Sequence, residues 1–222
     1  MVYMCSTFVV VRTCAPSAAS VTGRCSLIAR CKFQLRPTTL CSWQEFGNNR
    51  VQVLTPRFDL YGFIGANELE SPAGACADDK FVAVAEYRAS RVSVFTRADG
   101  ALLRRFGDGD FRHGLLGMCF IGKERSIAVV ARGYPHFLKV FNFEGKIIRT
   151  SQKDDALWCP TGVASSALGE LIVADHGNSR VVVFDASGKL VKEIDAGCVT
   201  GVAVHGGAIF AQTYMGSCKV FM

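Results

Sequence analysis

Five times along the chain a cation opens a short apolar run: Asn49-Arg50-Val51-Gln52-Val53, Ser90-Arg91-Val92-Ser93-Val94-Phe95, Leu138-Lys139-Val140-Phe141, Ser179-Arg180-Val181-Val182-Val183-Phe184 and Cys218-Lys219-Val220-Phe221. The cations fall at 50, 91, 139, 180 and 219, at intervals of 41, 48, 41 and 39 residues. β-rich units recurring at about 40 residues are the sequence pattern of propeller blades. The expectation is an all-β chain of about four to five four-stranded blades, with residues 45–222 as the repeat region and 1–44 as a separate segment.

The unit from Cys159 to Ile194 shows the grammar most clearly. Pro160-Thr161-Gly162-Val163-Ala164 is a strand of small residues, suited to the crowded inner edge of a propeller. Glu170 to Asp175 reads as the second strand, and Gly177 in His176-Gly177-Asn178-Ser179 is expected to supply a positive φ. Arg180 to Phe184 is the third strand, and the alternating Lys189 to Ile194 is a half-exposed fourth. The inner glycines recur as Gly74, Gly117, Gly162 and Gly201. A carboxylate stands five residues before the cation as Glu45, Glu86 and Asp175, with Tyr214 in its place in the last unit. The pairs Glu45–Arg50, Glu86–Arg91 and Asp175–Arg180 read as structural loop pairs at the surface, where each contributes roughly 0–1 kcal/mol.

These residues resemble the NHL repeat. Ala174 to Phe184, preceded by Pro160 to Ala164, carries the likeness most fully, and Glu45 to Leu54 matches its middle portion. The resemblance covers about residues 45–222 and implies a propeller that is usually six-bladed, so this chain reads as a partial one. It also implies two contexts: substrate recruitment to a ubiquitin ligase, and single-stranded RNA binding. The unit Phe111 to Arg149 departs from the pattern through its longer loop, Arg132-Gly133-Tyr134-Pro135-His136.

Charge is unevenly placed. Residues 1–44 hold five cations and no Asp or Glu, a composition that fits a transit peptide or a misassigned start. Residues 86–153 hold 13 Lys or Arg against 6 Asp or Glu, including Arg97, Arg104, Arg105 and Arg112. With the aromatics Tyr87, Phe106 and Tyr134 this section is the basis of the RNA reading. The expected location is intracellular, cytoplasmic or organellar according to what residues 1–44 are.

Ten cysteines raise the question of metal. Cys5, Cys14, Cys25, Cys31 and Cys41 contain no C-x-x-C, and no histidine precedes His113, so a RING or B-box zinc module is not encoded. Cys76, Cys119, Cys159 and Cys198 hold repeated positions and read as small core or turn residues. Lactonase-type propeller enzymes ring a metal with Glu, Asn and Asp, whereas the four inner strands from Gly74, Gly117, Gly162 and Gly201 carry no carboxylate or amide. The reading is therefore a non-enzymatic scaffold without a cofactor that binds a protein partner through interblade loops. Its candidate contacts are Tyr87, Arg88, Arg132, Tyr134, His136 and His176. RNA binding and a metal-dependent hydrolase or lyase are the alternatives.

Overall fold

The computed structural model describes residues 10–12, 27–29, 41–45, 48–54, 60–109, 111, 114–133, 136–151 and 157–222. Tyr134 and Arg112 lie outside them, as does the side chain of Glu45. Among the described residues the chain is all β apart from one short 3-10 turn at His176–Asn178. A two-stranded ribbon pairs β1 (Val10–Arg12) with β2 (Leu27–Ala29). Blade one then contains β3 (Cys41–Glu45), β4 (Arg50–Leu54) and β5 (Leu60–Ile64). Blade two is β6 (Pro72–Ala77), β7 (Phe81–Glu86), β8 (Arg91–Thr96) and β9 (Leu102–Phe106). Blade three is β10 (Leu115–Ile121), β11 (Ser126–Ala131), β12 (Phe137–Phe141) and β13 (Ile147–Thr150). Blade four is β14 (Pro160–Ser165), β15 (Leu171–Asp175), β16 (Arg180–Phe184) and β17 (Leu190–Asp195). Blade five has three strands, β18 (Val199–His205), β19 (Ala208–Thr213) and β20 (Cys218–Phe221).

Each sheet is an antiparallel meander in sequence order, and the core lies between neighbouring sheets. Strand β7 shows why its residues are apolar throughout. Val82 and Val84 pack toward blade one, while Ala83 and Ala85 pack toward blade three. A strand buried on both faces has no polar side, so period-two alternation disappears except in outer strands such as β9 and β17. The aromatic filling is repeated as well: Phe95, Phe141 and Phe184 occupy the same place in β8, β12 and β16, and all three are buried.

The inner strands β6, β10, β14 and β18 are neighbours in that order. Their glycines meet backbone to backbone. A Cβ on Gly74 would collide with the carbonyl oxygen of Leu116. One on Gly117 would sit 2.7 Å from the Gly162 Cα, and one on Gly162 3.1 Å from the Gly201 Cα. The recurring glycine is thus set by the distance between blades at the channel.

Pairing register corrects the sequence alignment of the repeats. In blades two and four the residue facing the end of the second strand is the arginine: Glu86 faces Arg91 and Asp175 faces Arg180. In blade three the same position pairs Ala131 with Phe137, not with Lys139, which faces Val129. In blade five the second strand ends at Thr213, where the sequence placed Tyr214, and the facing residue is Ser217, two before Lys219. The five pairs are therefore Glu45–Arg50, Glu86–Arg91, Ala131–Phe137, Asp175–Arg180 and Thr213–Ser217. Loop length changes around Phe137 and Ser217, so counting residues between cations misaligns those two units.

Candidate functional site

In the two charged pairs whose acid side chains are described, the acid is not a surface group, as the sequence suggested, but fully buried: Glu86 and Asp175 are both 0% exposed. Burial is tolerated because every acceptor is used. Glu86 accepts from Arg91 Nε at 2.9 Å, Arg91 Nη2 at 3.1 Å, the Ser93 hydroxyl at 2.5 Å and the Glu70 backbone N–H at 2.6 Å. Asp175 accepts from Arg180 Nε at 2.8 Å, Asn178 Nδ2 at 2.8 Å and the Trp158 backbone N–H at 2.7 Å. Glu70 and Trp158 both stand two residues before the proline that begins an inner strand. The carboxylate therefore ties the chain entering a blade to that blade's second and third strands. The Glu86 hydrogen bond holds Arg91 above its ordinary pKa despite partial burial. At Arg180 burial pulls the guanidinium down, and the bonds to Asp175 and Glu193 outweigh it, leaving it raised. In blade three the Phe137 ring takes the arginine's place against Phe111, with Lys139 Nζ 4.8 Å from the Phe137 centroid. In blade five the Thr213 and Ser217 hydroxyls meet at 2.7 Å.

This pair also fixes the loop between second and third strands. The residue before the arginine has a left-handed backbone: φ is +52° at Asn49, +54° at Ser90 and +56° at Ser179. Gly177 does not carry that conformation. It is glycine because a Cβ there would collide with the Trp158 indole.

In a four-stranded meander these loops share one end of the propeller with the connections between blades. Backbone bonds tie these loops to the connections between blades. The Tyr87 N–H donates to Ser71 O at 3.0 Å, Gly114 N–H to Tyr87 O at 3.3 Å and Arg132 N–H to Gly114 O at 2.9 Å. Gly177 N–H then donates to Trp158 O and Tyr214 N–H to Cys198 O. Tyr87, Arg88 and Arg132 thus come together at the junction of blades two and three. The His136 ring meets Trp158 edge-on at 5.0 Å, between blades three and four. Between blades four and five His176 Nδ1 lies 2.9 Å from Val199 O, and its ring lies 6.5 Å from that of Tyr214.

Two residues at this end were not singled out as contacts by the sequence. Trp158 is 53% exposed and Tyr214 73% exposed, with Met215 beside it at 89%. Trp158 stands two residues before Pro160-Thr161-Gly162, outside the recurring elements of the repeat. Tyr214 was visible as the residue that breaks the acid pattern.

The basic middle section does not form one track. Arg125 pairs with Asp78 and with Asp79 at the opposite end, Arg105 bonds the Glu68 carbonyl at 2.7 Å, and Arg104 bonds the Phe143 carbonyl at 3.0 Å. Cys76 and Cys119 are buried core residues, whereas Cys159 is half-buried and Cys198 exposed. Among the described residues no group of three or more His, Cys, Asp or Glu side chains is placed to hold a metal ion, and no helix is long and apolar enough to cross a membrane.

At the opposite end Asp185 organises the turn before β17. It accepts from the Ser187 hydroxyl at 2.6 Å and from the Ser187 and Lys189 N–H groups. The Ser187 hydroxyl, followed by these backbone donors, holds its pKa below the usual carboxylate range. A depressed folded pKa stabilises the turn above the unfolded value, and that contribution is lost as pH falls through the folded one. The Asp185 carboxyl carbon, followed by NMR, should titrate below about pH 3.9, and Ser187→Ala should move the midpoint upward. A midpoint at or above the free value would contradict the geometry.

Known proteins bear on this arrangement in two ways. The NHL repeat model matches residues 157–184, the stretch from Leu157 through the Asp175–Arg180 pair to Phe184. No curated protein matches the chain. Among solved structures, the crystal structure of a nidogen/laminin complex is similar with a TM-score of 0.68 and 16% identity, over 78% of this chain and 67% of that one. Streptogramin B lyase is similar with a TM-score of 0.63 and 14% identity, over 83% of this chain and 65% of that one. A protein of unknown function from Bacteroides caccae gives 0.59 and 14%, over 79% and 65%. The chain thus spans about two thirds of the length of each. At such identities the likeness is one of fold, and the fold hosts both a binding protein and a lyase. The chain is a β-propeller whose fourth blade carries a matched NHL repeat.

Proposed function

We propose that this propeller is a non-enzymatic platform that holds a protein partner on the end where the second-to-third-strand loops converge. Tyr87, Arg88, Arg132, Tyr134, His136 and His176 supply contacts, and Trp158 and Tyr214 are the anchors. The observation that carries this reading is the exposed aromatic band across three blades, Trp158 against His136 and Tyr214 near His176. Exposed Trp and Tyr on hydrogen-bonded loops offer large contact area at small entropy cost, the usual character of interface hot spots. The nidogen/laminin neighbour supports protein binding as a use of this fold. The dispersal of Arg104, Arg105 and Arg125 onto protein acceptors weighs against an RNA track.

The test compares proteins retained by the immobilised chain with those retained by the Trp158→Ala/Tyr214→Ala variant, quantified by mass spectrometry. Loss of two anchors at about 2 kcal/mol each predicts a drop of more than tenfold in specific partners, with the melting temperature little changed. Equal retention by both proteins would contradict the proposal.

A further inference from the structure

The loops between second and third strands differ in charge from every other class of loop on the chain. The five loops between second and third strands are 46–49, 87–90, 132–136, 176–179 and 214–217. They carry Arg88, Arg132, His136, His176, Tyr87, Tyr134 and Tyr214, and not one Asp or Glu. Every other class of loop contains carboxylates: Asp78 and Asp79 or Glu124 between first and second strands, Asp99, Glu144 and Asp185 between third and fourth, Glu68, Glu70 and Asp108 between blades. The interblade loops share this end and carry acids of their own, and the described ones act on cations: Glu70 lies 3.6 Å from Arg91, Glu68 lies 3.7 Å from Arg105, and Asp108 acts on Arg91. Asp110, Asp154 and Asp155 lie outside the described residues. Arg88 and Arg132 are exposed, and among the described residues no carboxylate pairs with either. They are held in neighbouring blades by the Tyr87–Gly114–Arg132 backbone chain, at one end of the aromatic band.

From this we infer that the bound segment is an acidic peptide with apolar or aromatic residues interspersed. Its carboxylates face Arg88 and Arg132, and its apolar side chains lie along Trp158, Tyr214 and Met215. Exposed arginines offer planar, forked donors that match carboxylates, and two of them fixed on adjacent loops select a segment with repeated negative charge. The inference rests on the protein-binding reading and specifies the chemistry of the partner.

Two fluorescent peptides separate it from that reading: a repeat of Glu-Phe-Asp, and the neutral repeat Gln-Phe-Asn of equal length. A uridine-rich single-stranded RNA of similar charge is the third probe. The acidic peptide should bind at least about tenfold more tightly than the neutral one at low salt, and the margin should shrink as ionic strength passes about 0.1 M. Arg88→Glu/Arg132→Glu should remove the margin, and Arg88→Gln/Arg132→Gln most of it. Lys123→Glu/Lys146→Glu, an equal charge change at the opposite end, should leave it intact. Equal binding of both peptides, lost in Trp158→Ala/Tyr214→Ala, would overturn the acidic preference while the platform reading stands. A margin lost equally in the opposite-end variant, or RNA binding that exceeds the acidic peptide and depends on Arg88 and Arg132, would also overturn it.

Discussion

Gly117→Ala should destabilise the propeller by about 3 kcal/mol, since overpacking of a filled interior costs this much when neighbours cannot yield. The neighbours here are backbone: the added Cβ would stand 2.7 Å from the Gly162 Cα and 2.9 Å from the Thr161 carbonyl oxygen. Neither atom can swing aside as a side-chain end would. Relief requires blades three and four to separate at the channel, which would loosen the shared core of Val130, Leu138, Val140, Val163, Val173 and Phe184. Gly122→Ala is the control. Its site is open, although its φ of +60° makes the change mildly strained. Chemical denaturation should show a large loss for Gly117→Ala and a small one for Gly122→Ala. Similar losses for both would remove the close approach of inner strands from the explanation.

The second large effect belongs to the buried carboxylates. Glu86→Ala should cost about 3–5 kcal/mol, because breaking a buried ion pair strands its partner. Arg91, Ser93 and the Glu70 N–H would all lose an acceptor at once. Blade three shows an alternative solution at the same position, with Ala131 facing Phe137. Glu86→Ala/Arg91→Phe should therefore recover at least about 1 kcal/mol of the loss, as removing both charges is far cheaper than removing one. Recovery will be incomplete while Ser93 remains a hydroxyl facing an apolar site. If the double variant is no more stable than the single one, the pair is not acting as a unit. Asp175→Ala in blade four should behave alike, since it strips acceptors from Arg180, Asn178 and the Trp158 N–H. It should also disturb Trp158 and thus the proposed contact band.

The architecture was legible because blade spacing, inner glycines and acid–cation pairs recur in the linear order of residues. What stayed hidden depends on geometry across strands. Nothing in the order of residues says that Glu86 and Asp175 are enclosed by the chain entering their own blades. Lys139 and Lys219 look like members of the cation series, yet loop-length changes place Phe137 and Ser217 at the paired positions. Gly177 looked like a conformational glycine, and the Trp158 ring above it is the actual reason for its size. Of the candidate contacts, Tyr87, Arg88, Arg132, His136 and His176 lie along one end of the molecule. Trp158 escaped notice because it lies outside the recurring elements of the repeat, and its exposure depends on how the chain enters blade four.

A propeller requires blades whose inner strands touch, here through glycine, without being hydrogen-bonded partners. Nuclear Overhauser contacts between glycine α-protons test this directly. Gly117 and Gly162, and Gly162 and Gly201, should show strong α-proton contacts despite separations of 45 and 39 residues. Absence of both, with β10, β14 and β18 instead hydrogen-bonded side by side in one sheet, would contradict it.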